Sequence, residues 1–231
     1  MERHGARFPA HKPRVEMAKS LNKLQTSKKQ PSKKSPFNFI KNYDIDAILG
    51  EEDLVTYGRN QVYKSGRLFK NQYQSLLHNS LPPFYRSPSS PRVIESAQLF
   101  KLGLNGQSMN ETYDDLDLII PEGKRYNNTL DISSCPLASN HSTTIGDDVS
   151  DVFASLWTPT LIKRFKSVFG KVDITHDDIV NYFHFCAFDT MAQNGVISDW
   201  CRLFELNDFY HYSYYLILQK YYDSSYGHPL G

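Results

Sequence analysis

Cysteine is scarce: three residues in 231, an odd count that leaves at least one thiol unpaired in any intramolecular scheme. No apolar run approaches ~18 residues, so no membrane-spanning helix is expected. The opening Met1-Glu2-Arg3-His4 lacks the apolar stretch of ~7–15 residues that a signal peptide carries, so none is expected in the sequence as it stands. No heptad persists and no internal repeat is found, which excludes a coiled coil. Twelve glycines and twelve prolines, without a period, exclude a collagen-like chain. What the chain has is apolar and aromatic side chains, 40% and 13% of residues, which excludes disorder throughout. A chain of this length can bury roughly 70–75% of its unfolded surface, as one large domain or two small ones.

Acids are also rare in the first 41 residues. Eleven Lys/Arg there face only Glu2 and Glu16, a surplus of nine positive charges. The remainder carries fifteen Lys/Arg against twenty-three acids, a deficit of eight. A basic arm on an acidic body fits a phosphorylated ligand, nucleic acid or an anionic membrane, and equally a solvated, mobile segment.

Residues 12–36 run from a helix-compatible stretch, Val15 to Gln25, into Thr26-Ser-Lys-Lys-Gln-Pro-Ser-Lys-Lys-Ser-Pro36. The tract has two prolines and no apolar residue, so a loop or disordered stretch is expected there. Leu54 to Leu77 reads as a long helix, with Thr56 as its N-cap and an apolar line through Phe69, Tyr73, Leu76 and Leu77. Ser90 suits an N-cap, Pro91 the first helical position, Val93, Ala97, Phe100 and Leu104 one face, and Gly106 the close. Asp115 to Ile120 alternates as a short strand, and Pro121 to Asp148 reads as a loop. Helices are expected from Thr158-Pro159, from Thr175 with Asp177 and Asp178 in its first turn, and from about Leu206 to Tyr222.

The heptapeptide Arg3-His4-Gly5-Ala6-Arg7-Phe8-Pro9 carries chemistry. A neutral imidazole is a competent nucleophile toward phosphorus, and flanking guanidiniums grip non-bridging oxygens through paired hydrogen bonds. Glycine beside the histidine lets the backbone approach an anion. Arg92, in the first turn after Ser89-Ser90-Pro91, would offer a phosphate its side chain at the positive end of a helix. A solvated basic terminus and an ordinary surface arginine are the alternatives.

Together these residues resemble the histidine acid phosphatases, whose signature is RHGxRxP. Leu54-Val-Thr-Tyr-Gly-Arg59 is similar to that family's helix start, and Arg86-Ser-Pro-Ser-Ser-Pro-Arg-Val-Ile-Glu-Ser-Ala97 to its RVIESA segment. Pro121-Glu-Gly with Asn127-Asn-Thr-Leu-Asp131 resembles the fungal phytase and yeast acid phosphatase branch. Trp157-Thr-Pro, Cys186-Ala-Phe-Asp189, Trp200-Cys-Arg-Leu-Phe204, Lys220-Tyr-Tyr and Gly227-His-Pro-Leu-Gly231 follow in the family's order.

The resemblance implies an α/β fold with an inserted, mainly helical domain. Residues 1–106 would form part of the α/β domain and 107–231 the helical insertion, with 12–36 disordered and the cleft between the two. It implies His4 as the nucleophile that becomes a phosphohistidine, and Arg3, Arg7 and Arg92 as the phosphate ligands. The implied reaction is hydrolysis of phosphate monoesters at acidic pH, on small esters or phytate, without cofactor or metal. Phosphate charge is met by arginines, and no His/Cys/carboxylate cluster stands at ligand spacing. No nucleic-acid or membrane partner is expected.

The family's proton-donating His-Asp pair comes beyond the segment where this chain ends, and its histidine motif follows a central strand. The resemblance is thus to a middle piece of a longer phosphatase. His176-Asp177, the chain's one His-Asp, falls in the helical insertion and reads as structural. The resemblance further implies a disulfide between Cys186 and Cys201, with Cys135 left over. Sequons at Asn110, Asn127 and Asn140 fit an extracellular or cell-wall glycoprotein. Two rival readings are a non-catalytic phosphate or phosphoinositide binder, and nucleic-acid binding through residues 12–41.

Overall fold

The structure, a computed structural model, describes residues 3–78, 82–122 and 145–224. The chain divides into two compact units: Met1–Phe8 with Glu51–Pro136, and Pro9–Gly50 with Leu137–Gly231.

The first unit holds the expected sheet. Helix α3 (Thr56–His78) packs along α4 (Pro91–Asn105), and a parallel pair, β1 (Arg86–Pro88) and β2 (Leu118–Ile120), lies beside them. The pairing sets Arg86 opposite Leu118 and Pro88 opposite Ile120. Leu54, Val62 and Leu99 form the core, with Phe100 and Met109 against it. α4 starts and stops where its sequence dictates. Ser90 takes the N-cap backbone position, Pro91 fills the first helical position, and Gly106 turns left-handed (φ 78°) beyond the end. The two helices approach closely enough that a Cβ on Gly66 or Gly103 would overlap the other helix's backbone.

The faces differ from those expected. α4 buries Ser96, Leu99, Leu102 and Leu104, and the line Phe69, Tyr73, Leu76 on α3 is exposed, Leu76 by 66%. The backbones meet at Val62, Tyr63 and Gly66, and Phe69 adds an edge-on ring contact with Phe100 (5.8 Å). α3 begins at Thr56 itself, with the Val55 carbonyl accepting from the Arg59 N–H.

The second unit is helical: α1 (His11–Gln25), α2 (Ile45–Ile48), α5 (Ile145–Phe169), α6 (His176–Ala192) and α7 (Leu206–Ser224). Short 3-10 turns lie at Asn38–Asn42 and Asp199–Leu203. Trp200 is fully buried; Phe185 stacks on it at 4.5 Å and Tyr182 at 5.7 Å. Phe183 stacks between Phe204 (3.8 Å) and Tyr212 (4.4 Å). Each aromatic pair of this kind adds about 0.5–1.5 kcal/mol beyond its buried area.

Three expectations are corrected here. Residues 12–36 are not a disordered insertion. α1 buries Met17, Ser20, Leu21 and Leu24 at helical spacing, and the polar tract after it is held by side chains. The Gln30 amide donates to the carbonyls of Leu24, Gln25 and Ser27, and the Ser27 hydroxyl donates to the Phe169 carbonyl. Composition without apolar residues signalled disorder, but the hydrogen bonds come from amides and hydroxyls. Residues 9–50 accordingly join the helical unit, and the units do not part at residue 106. Finally, Pro159 does not start a helix but lies inside α5. The buried stripe Ser150, Ala154, Trp157, Leu161, Phe165 runs past it, and Pro159 sits on the exposed side.

α6 is pinned to α1 through one carboxylate. Thr175 and Asp178 form a reciprocal capping box, and the buried Asp178 also accepts from Ser20 (2.8 Å) and Lys23 (2.7 Å). Burial raises its pKa, but Lys23, Thr175 and Ser20 outweigh that and leave it below the usual carboxylate range.

On the same helix His184 packs against Phe188 and Tyr212, and its buried Nδ1 has no partner among the described residues. Burial lowers its pKa to about 4. The folded state therefore binds this proton less well than the unfolded chain, whose histidines titrate near ~6.5. Stability from this site is present above pH ~6.5 and is lost as pH falls toward about 4. Urea midpoints measured from pH 7 to pH 4 are expected to fall for the parent and to fall less for His184→Leu.

Candidate active site

The heptapeptide is laid against the segment before α3. The Phe8 N–H donates to the Asp53 carbonyl (2.9 Å), the Val55 N–H donates to the Ala6 carbonyl (3.1 Å), and Arg7 bridges Leu54 antiparallel. Gly5 rests directly on Gly58 in the first turn of α3, where neither position has room for a Cβ.

A second set of bonds ties the motif to α4. The Gly5 N–H donates to the buried Ser96 hydroxyl (3.2 Å), which donates to the Arg92 carbonyl one turn earlier (2.7 Å). That link explains how residue 92, so distant in sequence, comes to share a site with residue 4.

His4 Nδ1 lies 2.8 Å from the Gly5 carbonyl oxygen. A carbonyl can only accept, so Nδ1 carries the proton and Nε2 keeps its lone pair. The His4 pKa is held below 6.5, first by burial and then by the positive fields of Arg7, Arg3 and Arg92; the Gly5 bond opposes them. Arg7 is depressed too, by burial, Arg92 and Arg3, with Glu52 opposing. The imidazole and the three guanidiniums therefore occupy one electrostatic neighbourhood, crowded with positive charge.

Two of the cations are partly engaged. Arg7 Nη1 donates to the Phe8 carbonyl (2.8 Å), and Arg92 Nη1 donates to Glu52 Oε2 (2.9 Å). Arg92 Nε is buried and has no hydrogen-bond partner among the described residues. An unfilled buried donor of this kind is stabilised by an arriving acceptor. Beside Arg3 and His4 opens a cavity of about 540 Å³, which Tyr85, Arg86, Ser96 and Phe100 also border.

Glu52, Arg86 and Ser96 were not marked by the sequence. Glu52 and Ser96 act through backbone and side-chain bonds that no spacing rule shows. The run Glu51-Glu52-Asp53 just before the helix was the only available signal for the acid.

The remaining expected site residues lie elsewhere. Cys186 and Cys201 form a disulfide with Cα atoms 4.7 Å apart, joining α6 to the 3-10 turn after it. Asn110 is an exposed turn residue, whereas Asn127, Asn140 and Cys135 fall outside the described residues. His176-Asp177 sits in the first turn of α6, in the unit that does not contain His4. His176 Nε2 is 3.2 Å from Asp177 Oδ1 and 3.7 Å from Asp151 Oδ1. The sequence spacing missed this trio because Asp151 comes from α5. Its ligand atoms lie within 4.8 Å of one another, near enough to share a cation. Burial raises the Asp151 pKa, as do the neighbouring carboxylates of Asp177, Asp147 and Asp148, while His176 lowers it.

The comparisons with known proteins bear on the first site. A family model described as the histidine phosphatase superfamily (branch 2) matches residues 1–231. Phytase A of Aspergillus terreus is 32% identical over 241 residues, covering 100% of this chain and 50% of that protein. Phytase A of Aspergillus oryzae is likewise 32% identical, again with 100% and 50% covered. The chain thus spans about half the length of the curated relatives it matches. Among solved structures, a phytase from D. castellii superposes with a TM-score of 0.75 at 24% identity, covering 97% of this chain and 50% of that one, which establishes likeness of fold.

Proposed function

The chain belongs to the histidine phosphatase superfamily (branch 2), and on that footing we propose that it contributes the phosphate-binding and nucleophilic part of a phosphate monoester hydrolase. His4 is the nucleophile and Arg3, Arg7 and Arg92 are the phosphate ligands. What supports this reading is the positive field of Arg7, Arg3 and Arg92 on an imidazole whose Nδ1 proton is tied to the Gly5 carbonyl.

The chemistry follows from that arrangement. Nε2 attacks phosphorus; the N–P bond forms as the ester P–O bond breaks, and the alcohol departs with a proton. Water then attacks the phosphohistidine, returning inorganic phosphate and the free imidazole. The guanidiniums neutralise charge on the non-bridging oxygens and hold phosphorus in line, which is most of what phosphoryl transfer requires. Burial, and after it the fields of these guanidiniums, keeps the imidazole neutral at lower pH than an ordinary histidine, which supports activity in acid. The donor of the leaving group's proton is not assigned to His176-Asp177, which lies in the first turn of a helix in the other unit.

Two substrate classes follow. Broad action on small phosphate esters is the main reading, and phytate is the second, favoured by relatives that are named phytases. The disulfide and the exposed sequon at Asn110 support an exported protein. The decisive test is covalent: acid-sensitive phosphate trapped from p-nitrophenyl phosphate is expected on His4, as a mass increase on the peptide that contains it. Parallel assays on phytate rank the two classes. A label on any other residue, or none, overturns the mechanism.

A further inference from the structure

Arg92 meets a carboxylate before it meets any substrate. Glu52 Oε2 accepts from Arg92 Nη1 at 2.9 Å, and the same carboxylate lies near enough to Arg7 to offset the repulsion of its neighbours. Glu52 also holds a left-handed backbone (φ 61°), one of two non-glycine residues with positive φ among those described. Such a conformation costs a side-chain-bearing residue roughly 1–2 kcal/mol and persists where the surroundings impose it. Here they do: Asp53 accepts from the motif through its carbonyl, and its own N–H donates to the Glu51 carbonyl (2.8 Å). The strained turn aims the Glu52 side chain at the two arginines.

We propose that Glu52 is a built-in stand-in for phosphate: its carboxylate occupies Arg92 while the site is empty and competes with the bound anion for it. This rests on the reading of Arg7 and Arg92 as phosphate ligands. Three guanidiniums and an imidazole would by themselves hold the product phosphate tightly and release it slowly. A fixed carboxylate beside two of the cations quiets their mutual repulsion in the empty site and repels the anion in the filled one. Both effects weaken product binding. The contested donor is Nη1, while the buried Nε stays free for the anion, so the carboxylate weakens phosphate binding without blocking it.

The test uses two replacements that differ in what else they change. Glu52→Gln keeps the side chain's length and its acceptor but removes the charge. Glu52→Gly removes the carboxylate and also relieves the backbone. Inorganic phosphate is titrated into the full chain by calorimetry at pH 6, with parent, both variants and Arg92→Ala compared. Removing one charge at this range is expected to tighten phosphate binding about five- to tenfold in both variants. A merely structural ion pair would give weaker or unchanged binding on its loss. Unchanged or weaker binding in either variant, with Arg92→Ala abolishing it, overturns the proposal and leaves the site reading intact. No binding by the parent, or binding that Arg92→Ala leaves unchanged, overturns the site reading and this proposal with it.

Discussion

Replacing His4 with alanine is expected to lower the hydrolysis of p-nitrophenyl phosphate roughly 10³-fold or more, to the level of the buffer control. Among the described residues the side chain hydrogen-bonds to its neighbour's carbonyl, so thermal stability is expected to stay close to that of the parent. Loss of activity with an unchanged unfolding midpoint separates a nucleophile from a structural residue. The pH profile gives a second, independent signature. Only the neutral imidazole attacks, and burial, followed by the arginine fields, holds its pKa below 6.5, so the acid limb of kcat/KM is expected below that value. Arg7→Gln removes the largest of the arginine fields and is expected to move the limb upward as well as to raise KM. A parent without activity would remove the claim that this chain is an enzyme on its own, while leaving its family membership untouched.

Most of the residues proposed for the chemistry stand together in the sequence, in one contiguous motif. RHGARFP places His4, Arg3 and Arg7 within five positions, and Ser90-Pro91 fixes Arg92 in the first turn of a helix. Neither the ordered segments nor the spacing could show what brings those parts together. That is the work of Ser96, a buried hydroxyl that accepts from Gly5 and donates to the Arg92 carbonyl, and of Glu52, whose aim depends on a left-handed turn. Helix ends were read well wherever a local rule governs them, as with Pro91 and Gly106 of α4 or Thr175 of α6. Helix faces were read less well, because which side is buried depends on the partner. α3 meets α4 at its glycine, with Phe69 of the aromatic line edge-on to Phe100 while Leu76 stays exposed. The polar tract after α1 misled for a related reason. Its amides and hydroxyls find carbonyl partners in folded neighbours, and composition does not record that.

The second large effect concerns Gly58, which touches no substrate. By helix propensity alone, alanine at this buried first-turn position would stabilise α3 by about 1 kcal/mol. The geometry reverses that sign, since a Cβ there would overlap the backbone of Ala6. No rotamer relieves a clash between a Cβ and main-chain atoms; either the motif strand or the start of α3 must move. Such overpacking costs typically 1–3 kcal/mol, and a chain of this size loses about 2–4 °C of midpoint per kcal/mol. Ala6, whose backbone the Cβ would meet, is bonded to Val55 and sits between Gly5 and Arg7, so the displacement passes directly to the motif that carries His4 and Arg7. A shift of about 1 Å at the reacting groups costs on the order of 10²-fold in rate. Gly58→Ala is therefore expected to lower both the unfolding midpoint and kcat at a temperature where the protein remains folded. Gly66→Ala supplies the control. It meets a similar overlap against the Phe100 backbone, two turns along the same helix and away from the motif. It is expected to lower the midpoint comparably while leaving kcat near the parent value, so the rate loss in Gly58→Ala reports the position of the motif rather than the stability of the unit. A Gly58→Ala protein as stable and as active as the parent would show that the motif is not seated on that helix turn.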